Sequence, residues 1–588
     1  MASYTALNTA FSGMSVHARN LDVIGNNIAN ANTTAFKSSR MLFEPVFYRT
    51  QNIGSAPIDD HGGTNPTQIG LGASIAGTQQ DFRTGSIGAT GDPRDLAIDG
   101  KGFFAVQRGS DTLYTRNGAF RQDSEGKLVS IDGWRVQGYR VDNEFNIIPG
   151  ALGELDIPVG RMKIAQATRE VRFAGNLDAD GLVATRGTHV QLGGTSTTGL
   201  QLVPGATNPA PTGDKLEGSS LLREIEDPLA PGSGTPLFGV GQKFELRNIS
   251  KGGRILPTTA LDIAATTTLQ DLMDFVSNVL GLRTDLGTNP DGKQPGVSLD
   301  AANGLLSIHG NTGQANDLEI DPGDVRLIGT DGKLVRSPLD VQTKAQADGE
   351  SVRTAFVVYN SLGSPTKIDA AMTLVSRGPA GTTWRYDLDR FEEGALTSPR
   401  VLTGTMRFDE FGVIDAPEPV TLTLSQTAAG AQSPQNVTLT FTGTPEQAGV
   451  SALADVQSSL ASSYQDGSPI GTLASYGTDE NGVISGTFTN GLSRTLGQVA
   501  LATFINPEGL VDEGDNLFRV GANSGPAAIT MPGELGTGQI VGGSLESSNV
   551  DLGTEFIKLI QTSTGYSANT RVIRTTDELM QQLLTLGR

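Results

Sequence analysis

The sequence predicts a mainly β, multidomain protein whose two ends are α-helices that pair like a coiled coil. The 588 residues include 75 glycines and only 18% charged side chains, a composition typical of turn-rich β domains. Short β-rich runs broken by Asp-Gly and Asn-Gly turns fill the middle, whereas heptad patterns occupy the two ends. A chain of this length is also too long to fold around one hydrophobic core, so we expect several domains.

Apolar heptads occupy the first thirty residues and predict a helix from Ser3, as N-cap, to about residue 30. The last forty residues repeat the pattern. Each helix has an apolar stripe that needs cover, and the simplest cover is the other helix, which would bring the termini together. The stripes are long, nearly neutral and interrupted by polar residues, which favours assembly with further copies over self-capping alone. The predicted assembly residues are Tyr4, Leu7, Phe11, Met14, Leu21, Ile28, Leu552, Phe556, Leu559, Tyr566, Ile573, Met580 and Leu584.

The remaining chain divides by composition into nested segments. Residues 31–72 mix aromatic residues with a Gly/Pro/Asn-rich stretch, which predicts a linker or an irregular hairpin. We predict a terminal helical domain (1–30 with 545–588), an inner β domain (73–155 with 470–544), a second β domain (156–189 with 347–469) and an inserted outer domain (190–346). Gly-rich joins near Gly175 and Gly471 are candidate hinges between nested domains.

Two patterns within the nested segments are specific enough to name side chains. Alternation predicts a strand with Ile368, Ala370, Met372 and Leu374 on one face, followed by a strand with Trp384, Tyr386 and Leu388 on one face. In the inserted segment, Thr268 as N-cap and Asp271 at the third helical position predict a helix that carries Leu272, Phe275 and Val279 and ends before Gly281.

The sequence offers no clear catalytic, cofactor or metal site, so we predict a protein that is not an enzyme. There is no cysteine, and the four histidines, His17, His61, His189 and His309, fall in four separate predicted segments. The string NLDADG at 176–181 resembles the start of a calcium loop, but it lacks the closing glutamate and the flanking helices, so a β-turn is expected.

Charge and hydropathy limit the partners and the location of the chain. A net charge of −20 argues against a nucleic-acid ligand, and no apolar run is long enough to insert into a membrane. The N-terminus has no basic start, apolar core or cleavage site, so we expect no cleaved signal peptide.

Six strings resemble the family of bacterial flagellar rod, hook and hook-associated proteins. The N-terminal string LDVIGNNIANANTTAFK (21–37) is similar to the family signature, and residues 92–107 and 114–129 resemble the next shared blocks. The C-terminal blocks are matched by residues 496–518, 545–556 and 566–586. One departure is Ala35, where the family usually has glycine, so the turn there is expected to differ slightly.

The long, interrupted middle is typical of family members that build the hook rather than of the shorter rod proteins. The resemblance implies a non-enzymatic subunit of a curved, hollow helical homopolymer that passes motor torque from rod to filament. It also implies export through the flagellar type III apparatus to the cell exterior, and contacts with rod, hook-cap and hook–filament junction proteins. The alternatives are a distal rod subunit that forms a straight tube and, from another class, a secreted β-rich enzyme or adhesin.

Overall fold

Two long α-helices occupy the ends of the chain, and β-strands form most of what lies between them. The computed structural model describes residues 2–60, 62–194, 199–206, 215–391, 399–416, 419–445 and 447–586. Helix α1 spans Ala2–Ala29, α2 spans Leu269–Val279 and α3 spans Leu552–Leu586. The described part of the chain is thus mainly β with terminal helices, and α1 packs along α3, which confirms the predicted fold class. Helix α1 begins at Ala2, so Ser3 lies inside it and is not its cap.

The described residues form two compact units, 1–163 with 471–588 and 164–470. The chain passes between the units in the strands Lys163–Gln166 and Ser468–Thr478. Gly471 lies at this crossing. Gly175, the other predicted hinge, lies instead inside the strand Glu170–Asn176 and is paired with Val450 and Leu460 on its two sides, so it is part of a sheet.

In the first unit, residues 39–80 form a long antiparallel hairpin. Its strands Ser39–Pro45 and Ala73–Gln80 pair at the base, and Tyr48–Asn52 pairs with Thr67–Gly70 farther out. The segment expected to be a linker or an irregular hairpin is therefore a hairpin. Residues 73–80, which we assigned to the inner β domain, are its returning strand.

The main sheet of the first unit is built from both blocks of sequence that we predicted to combine. Arg135–Val141 pairs with Ser493–Val499, and Phe103–Arg108 pairs with Leu501–Thr503. The other strands of the unit are Asp111–Thr115, Arg121–Gln122, Leu128–Val129, Ile147–Glu154, Val483–Phe488, Val511–Gly514, Leu517–Arg519, Ala528–Thr530, and the pairs Leu96–Asp99 with Gln539–Gly542 and Ile87–Ala89 with Ser544–Glu546.

In the second unit, two five-stranded sheets enclose one apolar core. One sheet contains Glu170–Asn176, Val420–Leu424, Gln435–Thr440, Val450–Ser451 and Ser459–Gln465. The other contains Ser351–Tyr359, Pro365–Gly378, Gly381–Asp389, Arg400–Phe408 and Ile414–Ala416. The alternating residues that we placed on one face of the strands around 370 and 386 are all buried in this core.

Residues 187–345 of the second unit form three small sheets around a separate apolar core. The sheets are Gly187–Gly193, Gly296–Asp300, Leu305–Thr312 and Asp340–Ala345; Lys243–Leu246, Thr259–Asp262, Val325–Ile328 and Leu334–Arg336; and Ser250–Lys251, Arg254–Ile255 and Leu318–Glu319. Helix α2 begins with the predicted capping box of Thr268 and Asp271, and its predicted stripe of Leu272, Phe275 and Val279 is buried. Single 3₁₀ turns occur at Leu222–Glu224, Thr284–Leu286, Gln314–Asn316, Thr427–Ala429 and Pro507–Gly509.

Candidate assembly surface

The contact between α1 and α3 is made by small and polar side chains. A Cβ atom at Gly13 would lie 2.9 Å from the side-chain amide of Asn569, and one at Gly565 would lie 2.7 Å from the Nε2 atom of His17. Because neither position has room for a side chain, these two glycines let the helices approach closely. They weaken each helix by itself and make the pair possible.

Polar side chains also cross between the two helices. The Asn20 amide donates to the Thr562 hydroxyl at 2.9 Å, and the Asn27 amide donates to the Glu555 carboxylate at 3.2 Å. Asn27 and Glu555 are both buried, and the hydrogen bond between them compensates for the hydration that each side chain loses. These contacts fix how far each helix is shifted along and rotated about the other.

The predicted heptad spacing is present, but the seam is turned by one residue along α1 and at part of its positions along α3. On α1 the paired face runs through Ala10, Gly13, His17, Asn20, Ile24 and Asn27, each one position before the predicted series. On α3 the face runs through Glu555, Leu559, Thr562, Gly565, Asn569, Ile573, Thr576 and Met580. On α1 our apolar series therefore followed the edge of the contact, because Gly13 at its centre leaves no room for a side chain. On α3 the series shares Leu559, Ile573 and Met580 with the paired face.

The thirteen predicted assembly residues separate into two groups. Leu7, Met14, Leu21, Ile28, Leu559, Ile573 and Met580 are half-buried along the helix pair. The remaining six are exposed, with exposed fractions of 65% for Tyr4, 61% for Phe11, 42% for Leu552, 51% for Phe556, 36% for Tyr566 and 71% for Leu584. Sequence reasoning missed four more exposed apolar residues on α3, among them Ile557 and Ile560, because they lie outside the heptad series.

These exposed side chains form what we call the outward stripe, and burial by a neighbour would be favourable. An apolar side chain fully removed from water contributes about 1.5–3 kcal/mol. A half-exposed one can gain about 1 kcal/mol when its remaining surface is covered. The outward stripe comprises Tyr4, Phe11, Leu552, Phe556, Ile557, Ile560, Tyr566, Val572, Leu579 and Leu584.

A second exposed apolar set lies on the hairpin of residues 39–80. Phe47 is 81% exposed and Ile53 is 85% exposed, and Ile58 and Ile69 are exposed as well. The base of the hairpin packs on α1, where the Ser12 hydroxyl accepts from the Ala73 N–H at 3.3 Å and the rings of His17 and Phe43 meet edge to face. The hairpin is thus fixed to the helical stem at its base and offers apolar surface farther out.

A buried ion cluster joins the helical stem to the β domain of the first unit. The Lys37 ammonium lies 2.6 Å from one oxygen of Glu546, and the Arg116 guanidinium lies 3.1 Å from the other. The Lys37 and Glu546 side chains are fully buried and that of Arg116 nearly so. Burial lowers the pKa of Lys37, and the nearby Arg116 charge lowers it further. We call these three residues the stem cluster.

Each member of the stem cluster comes from a different string that carries the family resemblance. Lys37 ends the N-terminal string, Arg116 lies in the string at 114–129, and Glu546 lies in the string at 545–556. Further hydrogen bonds satisfy the charges: Lys37 donates to the Arg83 carbonyl at 2.7 Å, and the Gly85 N–H donates to Glu546 at 2.8 Å. The cluster therefore connects the segment after α1 and the segment before α3 to the β domain.

Ala35 adopts a left-handed backbone conformation with φ of +58° next to this cluster. Its N–H donates to the Glu546 carbonyl at 2.8 Å, and its side chain is buried. The turn is therefore held by a backbone hydrogen bond, and alanine stands in a conformation that glycine adopts with less strain.

A cleft of about 1030 Å³ opens beside the stem cluster. Its walls include Phe103, Arg116, Phe504, Glu555 and Lys558. Arg116 is paired with Glu546, and Lys558 is paired with Glu555 at 2.7 Å, so these charges are committed to structural contacts.

The calcium-loop candidate NLDADG (176–181) is held by hydrogen bonds within the protein. NLDADG is a turn in which the Asp178 carboxylate accepts from the Asp180 N–H, and the Asn176 amide donates to the carbonyls of Leu453 and Val456. Among the described residues no group of three or more His, Asp or Glu side chains is placed to hold a metal ion. No described helix has the length and apolar character needed to cross a membrane.

Two histidines that we had assigned to separate segments stack on each other. His189 and His309 face each other on the neighbouring strands Gly187–Gly193 and Leu305–Thr312, with ring centroids 4.5 Å apart. Burial lowers the pKa of both imidazoles, and the charge of Lys293 lowers both further. The strand register brings them together, and nothing in the local sequence around either residue reveals it.

Comparison with known proteins links the chain to flagellar proteins along its whole length. Three family models match: "Flagella basal body rod protein" at residues 7–37, "Flagellar hook protein FlgE/F/G D1 domain" at 97–191, and "Flagellar basal body rod FlgEFG protein C-terminal" at 541–586. The flagellar hook protein of Borreliella burgdorferi is 27% identical over 99% of both chains, and that of Treponema pallidum is 28% identical over 99% of both. The hook protein of Caulobacter vibrioides is 27% identical over 100% of both chains. The crystal structure of Helicobacter pylori hook protein FlgE2 is 17% identical, aligns with 78% of this chain and all of its own, and has a TM-score of 0.36.

Proposed function

We propose that this chain, a member of the flagellar rod and hook protein family, is the structural subunit of a flagellar hook. It is similar over its full length to hook proteins from several bacteria. The observation that carries the proposal is the outward stripe, because it leaves apolar surface on the helix pair for neighbouring copies to cover.

In this proposal the paired helices of many copies line a hollow, curved tube at the cell exterior. The stripe offers on the order of 10 kcal/mol per subunit if each of its members gains about 1 kcal/mol. Ordering a subunit in a complex costs about 4–15 kcal/mol, so assembly requires most of the stripe at once. A non-enzymatic role as a universal joint between rod and filament follows. Partners would be rod, hook-cap and junction proteins, with type III export and no cleaved signal.

The test replaces one residue of the stripe by a charge. Phe556→Asp puts a carboxylate where a neighbour's apolar surface would lie, and a charge buried there without a partner costs several kcal/mol. Since Phe556 is half-exposed in the single chain, the monomer should unfold at the parent's denaturant concentration. Bacteria that carry the variant in place of the parent gene should export the subunit and make no hooks in electron micrographs.

Leu229→Asp is the matched control, because Leu229 is an exposed apolar residue of the second unit and belongs to neither terminal helix. We expect curved hooks in that strain. Normal hooks from Phe556→Asp would refute the assignment of assembly to the outward stripe, and straight tubes from the parent chain would favour a rod subunit.

A further inference from the structure

The second unit contains two apolar cores that are distinct from each other. One core lies among residues 187–345, which we call the inserted module, and the other lies in residues 164–183 with 350–470, which we call the host module. The chain enters and leaves the inserted module side by side, since the Thr185 N–H donates to the Asp348 carboxylate at 2.8 Å. Two modules joined only by such a narrow crossing would be free to tilt.

Charged side chains fill much of the contact between these modules, where the ring of Phe391 of the host module also packs against the inserted module's apolar core and faces Lys251 and Arg254. Three buried carboxylates of the host module each face a cation of the inserted module, in the pairs Arg254–Asp369, Arg283–Asp387 and Lys251–Asp389. The Lys251 and Asp387 side chains are fully buried. Burial lowers the pKa of Lys251 to about 8, so the ammonium form is present at neutral pH.

Arginines of the host module reach across in the other direction. Arg353 donates to the backbone carbonyl of Lys251 at 3.0 Å and also to that of Ala315, and Arg385 donates to the Thr312 carbonyl at 3.3 Å. The Ala315 N–H in turn donates to the Ser351 hydroxyl at 2.6 Å. These bonds involve backbone as well as side chains, so they define one position of the inserted module.

The host carboxylates are themselves held in place by the host module. Arg400 pairs with Asp387 at 2.5 Å and also with Asp389, and the Thr403 hydroxyl donates to Asp387 at 2.8 Å. Burial alone would raise the pKa of Asp387, but Arg400 and Arg385 keep it below its ordinary value. The carboxylates that face the inserted module therefore have fixed positions and orientations.

We infer that this charged seam locks the inserted module onto the host module, so that the two move as one rigid body. Apolar contacts tolerate sliding because they are non-directional, whereas a buried ion pair is favourable only in good geometry. The inference concerns the single chain and does not depend on the hook assignment.

The test measures one distance between the modules in the full-length monomer. The chain has no cysteine, so Leu229→Cys in the inserted module and Phe411→Cys in the host module give two exposed sites for spin labels. Double electron–electron resonance of this labelled parent should show a single narrow distance peak. A broad distribution in the labelled parent would overturn the inference, whatever any further variant does.

The second arm removes two of the inserted module's three cations at the seam with Lys251→Met together with Arg283→Met, and leaves Arg254 in place. Asp387 and Asp389 keep Arg400, so the host module retains partners for its buried charges. We expect the narrow peak to be lost while circular dichroism still reports folded β structure; a peak as narrow as the parent's would refute the lock. Lys243→Met, which breaks an exposed pair with Asp262 inside the inserted module, should leave the peak unchanged.

Discussion

Replacing Glu546 by glutamine should destabilise the first unit more than any comparable change at its surface. The substitution keeps the shape of the side chain and removes the charge that faces both Lys37 and Arg116. Two buried cations then lack a carboxylate, and leaving buried charges without their partner typically costs about 3–5 kcal/mol. Domains are stable by only about 5–15 kcal/mol, so the loss is a large part of the total.

The structure also predicts an order among variants of the stem cluster. Lys37→Met removes one cation and leaves Glu546 paired with Arg116, so it should cost less than Glu546→Gln. The combination of both changes should cost less than their sum, because Lys37 no longer needs a partner in the double variant. Urea unfolding of the purified monomer followed by circular dichroism gives the free energies of unfolding.

Hydrogen exchange locates the effect of the Glu546 change. Amides of residues 31–37 and 544–549 should exchange faster in Glu546→Gln, whereas those of the second unit should keep the parent's rates. The surface variant Glu513→Gln, whose partners Arg108 and Arg519 are partly exposed, is the control and should leave the free energy of unfolding close to the parent's. If the free energy of unfolding of Glu546→Gln is as close to the parent's as that of Glu513→Gln, the stabilising role of the stem cluster is refuted.

Three further predictions follow from single features of the chain. Ala35→Gly should stabilise the monomer by about 0.5–1 kcal/mol in urea unfolding, because glycine relieves the left-handed strain at φ of +58°. The lowered pKa values of His189 and His309 mean that the unfolded chain binds protons that the folded chain does not. Stability should therefore fall as pH drops below about 6.5, the ordinary histidine pKa, and the fall should shrink in His309→Gln. Removing residues 1–30 and 550–588 should leave a folded, monomeric β protein in size-exclusion chromatography.

Each of these has a control and a contradicting outcome. Ala568→Gly lies at an exposed position in the interior of α3 and should destabilise by about 1 kcal/mol, so stabilisation by both glycine changes would contradict the strain argument. An unchanged pH dependence in His309→Gln would exclude the histidine pair as its source. A deeper truncation that also removes Glu546 should be less stable than the shorter one, since Arg116 loses its partner. Fibres formed by the shorter truncation would show that the helices are not needed for assembly.

Local patterns predicted those parts of the fold that local chemistry decides. Thr268 and Asp271 form a capping box because three residues of spacing are enough to satisfy the first N–H groups of a helix. The alternation around Met372 and Trp384 predicted buried faces because a strand places every second side chain on one side. The heptads likewise predicted that the terminal helices exist and meet.

Patterns of hydropathy could not give the face on which the terminal helices meet. The contact uses Gly13, Gly565, Asn20 and Thr562, which such a pattern counts as interruptions. The large apolar residues that define the pattern, such as Phe11, stay exposed in the single chain. A heptad pattern in one sequence therefore contains both the apolar residues that are buried within the chain and those that are left for contacts with neighbouring subunits.

Ion clusters lay beyond sequence reasoning for a different reason. Lys37 and Glu546 are 509 positions apart, and a single lysine or glutamate has no periodicity that marks it as buried. The same holds for Lys251 and Asp389, which belong to different modules. Only the family strings hinted at the first cluster, since three of them each contribute one member.

The chain thus keeps two kinds of contact apart. Directional, buried ion pairs such as Lys37–Glu546 and Lys251–Asp389 hold parts of one subunit in fixed geometry, and burial protects them from screening by salt. The outward stripe is apolar and non-directional, so neighbours can cover it in more than one relative position at similar free energy. In the proposed hook, rows of subunits must lengthen and shorten with each turn while torque passes through every subunit. Contacts that tolerate sliding are then needed between subunits, and contacts that resist it are needed within them.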